Sequence, residues 1–135
     1  MKNWSRIVTI TLLLFTAFGA FYGGFFFMMD PTGKLMHMST YPLMTSPFLD
    51  YFYPGLILFF ANGVLPLTAA IATWKQTSYS NHLVILQGLV LLGWIVIQVS
   101  ILQIFNPLHL TMVLIGVTLT VLGGVALMKK DLAEN

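Results

Sequence analysis

The chain has 135 residues, of which 58% are hydrophobic and 7% charged, with a formal net charge of +2 and no cysteine. Charged residues make up about a quarter of an ordinary soluble domain, so a chain this poor in them cannot cover a water-facing surface and reads as a membrane protein. The absence of thiols excludes thiol–disulfide exchange, the chemistry of one class of small four-helix membrane proteins.

A bilayer core about 30 Å thick needs roughly 20 apolar residues per helical crossing. The first such stretch is Ile7–Phe27, preceded by Lys2 and Arg6. Its apolar run is longer than the roughly 7–15 residues of a signal peptide and its Tyr-Gly-Gly-Phe segment lacks a small-x-small cleavage pattern, so an uncleaved helix is expected. Gly19 and Gly23 form a GxxxG pair with Ala20 and Gly24 beside it. Such a surface lets backbones approach closely, within one bundle or across a dimer.

The connection over 28–52, MMDPTGKLMHMSTYPLMTSPFLDYF, contains five of the eight methionines and many aromatics. It is too apolar for a free loop and is expected to lie along the interface or fold onto the helix ends, where aromatic rings are favoured. Asp30-Pro31-Thr32-Gly33 reads as a turn out of the first helix. Ser46-Pro47 reads as the N-cap and first residue of a short interfacial helix over about 47–52, which Pro54 then ends and bends into the membrane. Asp50 falls near the positive end of the following helix, a placement that favours a carboxylate.

Three further apolar stretches follow at Tyr53–Trp74, Leu83–Ile104 and Leu108–Met128, joined by short turns at 75–82 and 105–107. The runs are continuously apolar instead of alternating, which fits helices and not a barrel. The predicted fold is therefore all-α: a single domain over 1–135, four transmembrane helices in an antiparallel bundle, with a structured extracytoplasmic loop between the first two. With four crossings, Lys2, Arg6, Lys75, Lys129 and Lys130 share one side and Lys34 alone the other, which predicts that both termini are cytoplasmic. The last helix repeats small residues at Gly116, Thr120 and Gly124.

Polar residues inside the spans are mainly amides. Asn62 lies in the second helix, while Gln87 and Gln98 share one stripe of the third with Leu91 and Trp94. Such amides either hydrogen-bond between helices, contributing about 0.6–2 kcal/mol each, or line a polar cavity. The four acids, Asp30, Asp50, Asp131 and Glu134, all lie outside the predicted spans, so the intramembrane carboxylate of small proton-coupled exporters is missing. Met36, His37 and Met38, with further methionines nearby, offer soft ligands of the kind that select Cu(I), although methionine is equally an adaptable apolar filler. His37 and His109, both expected on the outer side, lack the partner spacing that would define a shared metal site, and no cofactor is expected.

The runs SPFLDYFYPGLILFFANGVLPLTAA, LLGWIVIQVSIL and NPLHLTMVLIGVTLTVLGG resemble a family of small four-helix bacterial inner-membrane proteins, uncharacterised in activity, with an SPFxDYxxPGLIL segment entering the second helix and a WIxxQ segment in the third. The resemblance spans roughly residues 45–125. It implies the same fold and a bacterial plasma membrane, and it singles out Asp50, Pro54, Gly55, Trp94 and Gln98 as the positions matching the motifs. The sequence thus reads as a non-enzymatic accessory or interaction component that binds a lipid-like ligand at its outer face, with Asp50, Tyr51, Asn62, Trp94, Gln98 and His109 as ligand-site residues. The alternative is a small transporter or channel with a path lined by Asn62, Gln87 and Gln98. Expected partners are membrane lipids and either a larger membrane protein or a second copy of the chain. Nucleic-acid binding has no support beyond the basic residues that set orientation.

Overall fold

A computed structural model of the chain describes residues 2–102 and 107–134, which are helical or in turns, without a strand. Four helices are long and apolar enough to cross a membrane. They are α1 (Asn3–Met29), α2 (Phe52–Lys75), α3 (Ser80–Leu102) and α4 (Pro107–Glu134). The helices extend beyond most of the expected boundaries because hydropathy marks the lipid-facing length, whereas a helix runs on into the interface. Residues 103–104 of the predicted third span and 105–106 of the turn after it lie outside the described residues.

The second crossing changes pitch in its middle. It is α-helical over Phe52–Phe59, opens into a π turn over Phe60–Val64, and resumes as α-helix over Leu65–Lys75. The cause is Pro66, which has no amide hydrogen to donate and whose ring would collide with the carbonyl of Asn62 one turn back. Widening the turn relieves the collision, and the Leu65 amide donates to the Phe60 carbonyl, five residues back. The helix then ends with Gln76 in the left-handed region at φ 54°, while the Thr77 amide donates to the Ala72 carbonyl at 3.1 Å, a Schellman-type closure made without glycine.

Close packing centres on α1 against α2 and α3 against α4. A Cβ on Gly24 would stand 2.7 Å from the Gly55 carbonyl oxygen, and one on Gly88 would stand 2.8 Å from that of Gly116. The backbones therefore meet at these points. Gly19, half of the predicted GxxxG pair, faces open space, as does Gly124 of the predicted repeat in α4, whereas Gly23 meets Leu58 and Gly116 and Thr120 of that repeat form the contact with Gly88. The main core is formed by Leu13, Ala69, Val84, Leu91, Ile95 and Leu119, drawn from all four helices.

A smaller cluster of Phe27, Leu43 and Tyr51 fastens the 30–51 connection onto the helix ends, with Met36 and Met38 packed against it. Asp30 organises the start of this connection: its carboxylate accepts from the Thr32 hydroxyl at 2.6 Å and from the Thr32 and Leu35 amides at 3.3 Å each. These bonds, the Thr32 hydroxyl foremost, hold the Asp30 carboxyl below its ordinary value. Gly33 takes φ 83° directly beneath the Tyr51 ring, where a Cβ would come within 3.0 Å of it. The expected helix over 47–52 is not formed. The helical turn lies earlier, at Tyr41–Thr45, and Ser46 ends it, donating its hydroxyl to the Leu43 carbonyl at 2.8 Å. Proline at the second position of that turn is the starting signal that Ser46-Pro47 was expected to supply.

Candidate functional site

The helix ends beneath the 30–51 connection enclose an apolar pocket of about 160 Å³. Phe27 closes it from α1, Pro54 and Leu58 from α2, and Trp94, Gln98 and Ile101 from α3, while Met38, Leu43, Phe48 and Tyr51 roof it. Trp94 and Gln98 reach the same wall because residues four apart share a helix face. The Tyr51 ring is 4% exposed and stacks on Phe27 with centroids 4.8 Å apart. Its hydroxyl donates to the Ser39 carbonyl at 2.7 Å, and the Tyr51 amide donates to the Pro31 carbonyl, so the roof is fixed at two separated points. Burial also pushes the phenol above its ordinary pKa. Besides Tyr51, whose hydroxyl is engaged, Gln98 and Trp94 are the lining residues that carry polar side-chain groups. A cavity of roughly this size, about 150 Å³, holds a benzene-sized apolar group, so the pocket accommodates one end of a chain-like ligand and not a whole lipid.

Asp50 stands just before α2 and outside the pocket lining. Its carboxylate accepts from the Phe52 amide at 3.0 Å, satisfying one of the donors that a helix start leaves unpaired. His109 is 4% exposed near the start of α4 and is likewise not part of that lining. The structure thus brings Tyr51, Trp94 and Gln98 together and leaves Asp50 and His109 in other surroundings. His37 is exposed in a left-handed conformation, whereas Met36 and Met38 pack towards Phe27, Leu43 and Tyr51. Among the described residues no group of three or more His, Asp or Glu side chains is placed to hold a metal.

Asn62 lies deeper in the bundle, on the π turn. The Gln87 carboxamide donates to the Asn62 side-chain oxygen at 3.1 Å, and the two residues are 0–1% exposed. Asn62 Nδ2 and Gln87 Oε1 remain without partners, so the pair satisfies half of its buried polar atoms. Gln98, in the pocket about three turns further along α3, is not joined to this pair.

No protein-family model matches this chain, and no curated protein or solved structure matches it either. The functional reading therefore rests on the residues and their geometry.

Residues that the sequence reading did not select also converge. At the end of the bundle bearing the N-terminal end of α1 and the C-terminal end of α4, a second concavity of about 460 Å³ is lined by Lys2, Arg6, Lys129 and Lys130 together with Thr73, Thr77 and Ser80. Their sequence positions signal membrane orientation; only the fold gathers them into one wall.

Proposed function

We propose that the chain is a non-enzymatic integral membrane protein of the bacterial plasma membrane. Its four helices cross in alternating directions with both termini cytoplasmic, and it works as an accessory or interaction component that takes the end of a lipid-like ligand at its outer face. The observation that carries this reading is the apolar pocket roofed by Tyr51 and walled by Trp94 and Gln98, a few hydrogen-bonding groups in an otherwise hydrocarbon-like lining. The motif resemblance supports the cellular setting, and the distribution of Lys and Arg supports the orientation. The ligand has an acyl- or prenyl-type chain beside a group that exchanges hydrogen bonds with the Gln98 amide.

The test uses a Trp4→Phe/Trp74→Phe background, in which Trp94 is the remaining tryptophan. A bromine-labelled fatty acid should quench Trp94 saturably in detergent, and Gln98→Leu should weaken that quenching about fivefold, the value of one lost hydrogen bond of about 1 kcal/mol. Quenching that rises linearly without saturation, or that Gln98→Leu leaves unchanged, would refute the pocket as a binding site. An externally active enzyme reporter fused after Asn135 should give no signal.

A transporter reading draws on the unpartnered atoms of Asn62 and Gln87 beside the π turn. The Asn62–Gln87 hydrogen bond in a sealed setting favours interhelical adhesion instead, and an Asn62→Leu/Gln87→Leu protein that folds but loses solute flux in proteoliposomes would reverse that preference.

A further inference from the structure

Four of the six Lys and Arg residues of the chain, Lys2, Arg6, Lys129 and Lys130, line the concavity at the end of the bundle towards which both termini run, and among the described residues no acidic one belongs to that lining. Asp131, the next residue along α4, is exposed and outside it. Basic residues at helix ends are common as orientation signals. Here they arrive from two different helices at one hollow, whose volume of about 460 Å³ lies within the roughly 300–1,000 Å³ of small-molecule sites.

Two further polar atoms belong to residues of the same wall. Arg6 Nε and Thr77 Oγ1 are buried and have no hydrogen-bond partner in the protein, and each has a hydrogen to donate. Ser80 and Asn81 bring the N-terminal end of α3 into the lining, where the helix dipole is positive. Lys130 is held in position by donating to the Ser78 carbonyl at 3.2 Å, which ties the end of α4 to the turn between α2 and α3. Like charges gathered in one hollow repel one another, and an anion bound among them converts that repulsion into attraction.

We propose that this concavity binds a phosphate-bearing anion, with the Arg6 guanidinium and the Thr77 hydroxyl donating to its oxygens and the lysines supplying charge. Arginine suits the role because its planar fork meets two phosphate oxygens at once, and lysine acts as a point charge. The same chemistry describes an anionic phospholipid headgroup at the membrane surface and a soluble phosphate compound. The inference stands apart from the ligand pocket at the opposite helix ends.

The full chain, purified in a neutral detergent at constant ionic strength, is titrated separately with phosphatidylglycerol, phosphatidylcholine and inorganic phosphate, with binding followed by native mass spectrometry and by the shift in thermal unfolding. Saturable binding of phosphatidylglycerol at least tenfold tighter than phosphatidylcholine assigns the site to a lipid headgroup, and saturation by inorganic phosphate with no preference among lipids assigns it to a soluble phosphate. In either case Arg6→Gln should weaken binding at least tenfold, as expected for a charge-assisted hydrogen bond, while Lys75→Gln, which removes a charge outside the lining, should leave it unchanged. If Arg6→Gln does not fold, Lys129→Gln, at an exposed position on α4, carries the same comparison with a weakening of several-fold. Absence of saturable binding by every probe, or a loss in Lys75→Gln equal to that in the lining variants, overturns the proposal.

Discussion

Gly24 offers a direct test of how α1 and α2 are held together. In Gly24→Ala the new methyl group would sit 2.7 Å from the Gly55 carbonyl oxygen, 2.9 Å from Phe59 Cβ and 3.0 Å from the Phe59 amide nitrogen. Ordinary contact begins at 3.4 Å, so the closest approach is short by about 0.7 Å. Two of the three atoms are backbone and none can swing aside, which leaves separation of the two helices as the only relief. Overpacking of this kind costs about 1–3 kcal/mol, and a gap of about 0.5–1 Å forfeits a quarter to a half of each neighbouring dispersion contact. A loss of about 2–3 kcal/mol is expected, read as a lower midpoint of unfolding in a detergent-denaturant titration. Gly19→Ala is the control, because nothing lies within 4 Å of a Cβ there. It should be neutral or add up to about 1 kcal/mol through better helix propensity. Equal stability of the two variants would refute the close approach at Gly24 and return the contact to the Gly19–Gly23 motif.

Gln87→Leu should destabilise the protein by about 1–3 kcal/mol, since it leaves the buried Asn62 oxygen without its donor, and adding Asn62→Leu should recover part of that loss; additive effects in the same unfolding assay would contradict a direct coupling. Asp50→Asn should leave unfolding and ligand quenching of Trp94 nearly unchanged, because a side-chain amide oxygen still accepts from the Phe52 amide. A loss of ligand retention in the folded variant would move Asp50 into the site. Tyr51→Phe should cost about 1 kcal/mol through the bond to Ser39. Because burial raises the Tyr51 pKa, its contribution is fully present below the ordinary value of 10.0 and is lost as pH rises through the higher folded value. Proteolysis of the 30–51 connection should therefore rise at alkaline pH in the parent protein, and less so in Tyr51→Phe.

The four crossings were legible because hydropathy over about 20 residues reports on the solvent a segment can tolerate, independently of its neighbours. What depended on neighbours was not. The pairing of Gly24 with Gly55 and of Gly88 with Gly116 follows from which helix faces meet, and the GxxxG spacing at Gly19 carries no information about that. Asn62 and Gln87 were recognisable as polar residues in a membrane, but their mutual bond required the rotation set by the π turn. The signal for that turn was present in Pro66, whose collision with the carbonyl four residues earlier is predictable from the sequence. In the loop, Ser46-Pro47 and Tyr41-Pro42 offered competing starts, and the hydroxyl of Ser46 was used to close the earlier turn. Tyr51, Trp94 and Gln98 could be selected as residue types in a suggestive segment, and the basic wall around Arg6 could not, since its members are separated by most of the chain.

The single wide turn in α2 has a bearing on how this chain can vary over evolutionary time. In an unbroken α-helix Gly55 and Thr73, eighteen residues apart, would lie in line, five full turns from one another. The extra residue of the π turn offsets the two halves by about 100°, so the first half presents Gly55 to α1 while the second half, with Ala69, Ala70 and Thr73 buried, meets both α1 and α3. Deleting one residue within 60–64 would take up that extra residue, because seventeen residues of regular α-helix between Gly55 and Thr73 give the same offset of about 100°, so both faces would keep their partners. What such a deletion brings back is the collision of the proline ring with the carbonyl four residues earlier, so a descendant with a one-residue gap here is expected to keep the packing of both halves and to have replaced Pro66.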